Sequence, residues 1–140
     1  MTPQAYVKQH APKIAALVGA VKDCQDRANT AGALVDLLRS FRRVQTATGA
    51  TLSYFLPSSR IAATRRVLST LTGNAVTLDV SKPFEFSEEL DRIEADIQQI
   101  RDEADTREDK LREFVEKNRP PVLELKLENE AFYNLIRRYL

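Results

Sequence analysis

Between Ser87 and Asn118 the apolar positions recur at alternating spacings of three and four: Leu90, Ile93, Ile97, Ile100, Ala104, Arg107, Leu111, Phe114 and Asn118. That is the heptad spacing of a helix packed lengthwise on a partner, with these residues at the a and d positions. The spacing predicts one long helix. Ser87 is available to cap its start, Glu88 and Glu89 fall in its first turn, and Pro120-Pro121 stop it. Acid-first pairs at i, i+4 (Glu88–Arg92, Glu103–Arg107, Glu108–Arg112, Glu113–Lys117) add helical support.

Upstream, the pattern predicts a bundle of three or four shorter helices. Thr2-Pro3 starts the first, which reaches His10. Pro12 kinks it or opens a second, with Ile14, Leu17, Val18, Val21 and Ala28 on one face. Asn29, Thr30 and Gly32 weaken the helix before another amphipathic segment carrying Leu34, Leu37, Leu38, Phe41 and Val44. Thr46 to Thr51 reads as a turn, and Leu52 to Leu56 is too short to classify. Ser58 or Ser59 caps a helix with Ile61, Leu68 and Leu71 on its buried stripe, and Gly73 ends it. Val76, Leu78 and Val80 then alternate with period two, as a brief strand or an extended link would; Leu123, Leu125 and Leu127 after the long helix alternate likewise and read as a short strand that could pair with the first. Phe132, Leu135, Ile136, Tyr139 and Leu140 return to helical spacing. The expected fold is mainly α: a basic helical bundle over 1–82, a long acidic coiled-coil helix over 83–119, and a C-terminal strand–helix segment over 120–140 that docks back.

Charge sharpens this division. The net charge of +1 hides eleven Lys or Arg against four Asp or Glu in residues 1–82, and ten against sixteen in 83–140. A basic half and an acidic half suit either a nucleic-acid surface or mutual attraction within or between chains. With Leu90 at position a, a parallel pair of long helices would set Glu89 against Glu94 and Glu103 against Glu108. An antiparallel pair centred near Asp105 would set Asp96 against Lys117, Glu103 against Lys110 and Arg101 against Glu108. The helix therefore favours an antiparallel partner, and three surfaces could supply it: the chain's own N-terminal helices, a second copy, or another protein.

Candidate chemistry adds little. His10 is the only histidine, so a multi-histidine metal site is excluded, and its place beside Pro12 suggests a solvated side chain. Cys24, the only cysteine, reads as a packed thiol, with no intramolecular disulfide possible and a reducing, cytoplasmic setting expected. The run Ile14 to Val21 is too short for a membrane span and lacks a cleavage site after it. The four glycines are scattered, so no phosphate-cradling loop occurs. Asp102, Glu103, Asp105, Glu108 and Asp109 lack the paired glutamates and Glu-x-x-Asp of magnesium-dependent helical pyrophosphatases.

The reading is a non-enzymatic assembly protein without cofactor, metal, membrane or small-molecule substrate. It would act as a homo-oligomer, or with another protein, through Leu90, Ile93, Ile97, Ile100, Ala104, Arg107, Leu111 and Phe114. The alternative is nucleic-acid binding by Arg39, Arg42, Arg43, Arg60, Arg65 and Arg66.

Overall fold

Thr2 accepts the Ala5 amide at 3.2 Å through its hydroxyl and starts the first helix, as its sequence suggests. The computed structural model describes residues 2–140. Its elements are α1 (Pro3–Thr48), α2 (Leu52–Phe55), α3 (Ser58–Thr72), α4 (Pro83–Lys117), α5 (Val122–Glu128), α6 (Glu130–Ile136) and a single 3-10 turn, Arg137–Tyr139. The fold is mainly α, and no strand occurs among the described residues. No helix among them is long and apolar enough to cross a membrane.

Where separate N-terminal helices were expected, α1 runs unbroken through Pro12, Asn29, Thr30 and Gly32. Packing overrides the breakers: buried Tyr6 and Ile14 flank Pro12, while Ala28, Ala31 and Val35 bracket the polar positions. The long helix starts at Pro83 rather than Ser87, with proline in the first turn where its missing N–H costs nothing.

The chain forms two compact units, and α1 and α4 each contribute to both. One comprises the described residues up to Asp23 with Glu103–Leu140; the other is Cys24–Asp102. This grouping crosses the boundaries read at Lys82 and Arg119.

In the first unit one apolar cluster joins α1 (Tyr6, Ile14, Val21), α4 (Leu111, Val115) and the C-terminal turns (Leu125, Phe132, Ile136, Tyr139). The helices run antiparallel, since Tyr6 donates its hydroxyl proton to the Asn118 carbonyl and Arg107 Nη1 donates to the Ala20 carbonyl at 3.3 Å. The Tyr6 bond uses one of the carbonyls that a helix end leaves unmatched. Burial pushes the Tyr6 phenol above its ordinary value of 10.0. Above pH 10 the unfolded chain gives up this proton before the folded one does, so stability is expected to fall as pH rises there. Urea titrations across that range should show the fall, and Tyr6→Phe should flatten it.

The segment 122–128 is helix, correcting the strand expected there. Leu, Glu and Lys are stronger helix formers than strand formers, and the alternation of leucines is not a burial pattern: only Leu125 is buried. Asn129 caps the following helix by accepting the Phe132 amide at 3.1 Å.

In the second unit the buried positions on α1 are Cys24, Ala28, Ala31, Val35 and Leu38, and those on α4 are Phe86, Leu90, Ile93, Ile97 and Ile100. Both sets alternate at four and three. Arg42 Nε meets Ser87 Oγ at 3.3 Å, Arg39 bonds Asp91 at 2.7 Å and Glu94 at 2.9 Å, and Gly32 lies beside Arg101, so the helices again run antiparallel. A Cβ at Gly32 would stand 3.1 Å from Arg101 Nη2, and the small α1 residues leave room for the isoleucines of α4. Leu52, Leu56, Leu68, Val76 and Leu78 complete this core. Arg27 ties α3 to α1 by donating to the Leu71 carbonyl at 3.3 Å. Gly73 ends α3 with a left-handed φ of 73°, the conformation that favours glycine at this position.

Of the two readings of 75–80, a brief strand or an extended link, the structure has the link and no strand. The period of two is real, since Val76 and Leu78 are buried while Ala75, Thr77 and Asp79 are exposed. The backbone is satisfied by side chains instead of a ladder: Val76 N donates to Ser69 Oγ at 3.2 Å and Thr77 N to Glu89 Oε1 at 3.2 Å, while the Ala75 carbonyl accepts from Arg92 at 3.3 Å.

Candidate interaction surfaces

The heptad residues of α4 lie inside the chain. Leu90, Ile93, Ile97, Ile100, Ala104 and Leu111 are buried, and Arg107 and Phe114 are half-buried. The surface assigned to self-association is therefore covered by the chain itself. Arg107, at a position that heptad packing fills with apolar side chains, turns its guanidinium to the Ala20 carbonyl and to Glu103 at 2.6 Å, satisfying its charge at the edge of the core. Of the expected i, i+4 pairs, Glu103–Arg107 and Glu108–Arg112 form; Arg92 pairs with Glu89 at i, i+3 rather than with Glu88.

His10 is not solvated but half-buried, with its ring 4.7 Å from Tyr6 and 5.9 Å from Phe114. Cys24 is buried and accepts from Arg27 Nη2 at 3.6 Å. Among the described residues no group of three or more His, Cys, Asp or Glu has the arrangement to hold a metal ion.

The six candidate arginines divide by environment. Arg39 is spent on Glu94 and Asp91, which hold its guanidinium firmly protonated. Arg42 is half-buried and donates to Gln45, Thr46 and Ser87. Arg43 is exposed and reaches Ser40 at 3.2 Å. Arg60, Arg65 and Arg66 are exposed on α3 and form no side-chain hydrogen bond or ion pair with any described residue.

The sequence holds a stronger signal than the list of arginines. From Leu37 to Leu78 it contains all six and no aspartate or glutamate. This stretch forms the end of α1, α2, α3 and the start of the extended link. The first acid after it, Asp79, turns its carboxylate back on its own turn, accepting the Ser81 amide at 2.9 Å and hydroxyl at 2.6 Å, which hold it below the usual carboxylate range. Arg65 edges a recess of about 510 Å³ lined also by Ser53, Ser58, Ile61 and Leu78.

Two exposed aromatic rings were not singled out from the sequence. Tyr54 is 79% exposed and Phe84 82% exposed. Tyr54 stands edge-on to Phe55 at 5.2 Å, and Phe55 stacks on Phe41 of α1 at 5.9 Å with the planes 8° apart. The available signal was the short apolar run between Thr51 and Pro57, which has more large side chains than a four-residue helix can bury.

No protein-family model matches this chain, and neither a curated protein nor a solved structure matches it.

Proposed function

We propose that this protein is a non-enzymatic helical interaction protein that binds a polyanionic partner through the arginine-bearing outside of its second unit. The observation that carries this reading is the acid-free stretch Leu37–Leu78, with Arg60, Arg65 and Arg66 exposed and unpaired among the described residues. Exposed arginines that neutralise the charges of a polyanion release the counter-cations condensed along it, which favours binding at low salt. Self-association through α4 is less well supported, because its apolar positions would have to leave α1 before meeting a second copy.

Chromatography on immobilised heparin tests the proposal. The protein should be retained at about 50 mM salt and elute as salt rises. A variant carrying Arg60→Glu, Arg65→Glu and Arg66→Glu should pass through while keeping the same circular dichroism, since all three side chains are exposed. Wild-type protein in the flow-through would refute the reading.

A further inference from the structure

We infer that the polyanion is single-stranded nucleic acid, and that Tyr54 is a platform on which an unpaired base stacks; this rests on the polyanion reading above. A cationic surface alone does not distinguish a duplex from a single strand, because both present phosphates. Tyr54 supplies the distinction. Its ring is 79% exposed and stands edge-on to Phe55, which stacks on Phe41 of α1. A solvent-facing aromatic ring offers a flat face to an unpaired base, and every base has such a face.

The cations stand close to that ring along the chain. Arg43 follows Phe41 by two residues, and Arg60, in the first turn of α3, follows Tyr54 by six, past the end of α2 and Pro57. Phe84 offers a second exposed ring one turn before Ser87, the residue that receives the Arg42 Nε–H. A single strand can place phosphates on the arginines while its bases cover the rings. A duplex keeps its bases stacked on each other and engages only the arginines. An anionic lipid surface is the competing macromolecule, since aromatic and basic side chains also suit a headgroup layer. The hydroxyl-bearing residues on either side of Tyr54 in the chain (Thr51, Ser53, Ser58, Ser59) favour nucleic acid over insertion among acyl chains.

Fluorescence anisotropy with the intact protein and a labelled oligothymidylate of about 20 nucleotides tests this, beside a duplex of equal length and vesicles of mixed phosphatidylserine and phosphatidylcholine. The strand should bind more tightly than the duplex at equal salt, and Tyr54→Ala should weaken strand binding about ten-fold. The same variant should leave elution from heparin unchanged. Equal affinity for the duplex, an unaltered strand affinity in Tyr54→Ala, or vesicles bound more tightly than the strand would overturn the inference. If retention on heparin survives any of these outcomes, the polyanion reading stands and the single-strand assignment alone falls; if retention is absent, both fall.

Discussion

Ile97→Asp is expected to unfold the protein rather than to dissociate it, at a cost of about 4 kcal/mol or more. Ile97 is 1% exposed in the second unit, among Leu90, Ile93 and Ile100 on α4 and the small buried residues of α1. The substitution removes a packed apolar side chain and puts a carboxylate at a position that is 1% exposed. Such a group either stays charged at high cost or takes up a proton and leaves polar atoms unpaired. Since small domains hold only about 5–15 kcal/mol in total, the change consumes a large share of the stability. Urea unfolding followed by circular dichroism should show the loss of helix, with Ile100→Asp behaving similarly at its 7% exposure. If α4 met a second copy instead, the same substitutions would halve the mass seen by light scattering and leave the helix signal intact. Those two outcomes separate an internal seam from an intermolecular one.

The period of α4 was readable because its apolar residues are large. Leu90, Ile93, Ile97 and Ile100 mark the seam without ambiguity, whereas the charges that favour an antiparallel pair of α4 helices carry no information about α1, which runs antiparallel to α4 in each unit. The matching seam on α1 was harder to see for the same physical reason that makes it fit. Cys24, Ala28, Ala31 and Gly32 are small, so they leave space for isoleucines while giving a weak hydrophobic signal. Asn29, Thr30 and Gly32 then look like a break in a helix whose continuity comes from tertiary packing. The arginine candidates were legible as residues, but their roles were not. Whether an arginine is engaged depends on what its neighbours across the bundle offer, as Arg39 finds Asp91 and Glu94 while Arg60, Arg65 and Arg66 face outward. Period two over Val76 and Leu78 correctly told which side chains turn inward, but it could not tell that Ser69, Glu89 and Arg92 would satisfy the backbone in place of a neighbouring strand.

Leu125→Ala is expected to cost about 3 kcal/mol, whereas Leu123→Ala and Leu127→Ala should each stay within about 0.5 kcal/mol of the parent protein. The three leucines alternate in sequence, and in a half-buried strand all would share one face and carry similar weight. In a helix, residues two apart point about 160° away from one another. Leu125 is fully buried in the cluster with Tyr6, Leu111, Val115, Phe132 and Ile136, while Leu123 and Leu127 are 75% and 87% exposed. Removing Leu125 leaves a cavity that the surrounding aromatic and aliphatic side chains of α1, α4 and α6 can fill only in part, and thermal unfolding should record the loss as a fall in midpoint of several degrees. Equal losses for the three substitutions would mean that the segment packs one face as a strand does. A large loss for Leu125 alone follows from a short helix held by one leucine, and it would leave Leu123 and Leu127 as apolar side chains that the fold of this unit does not use.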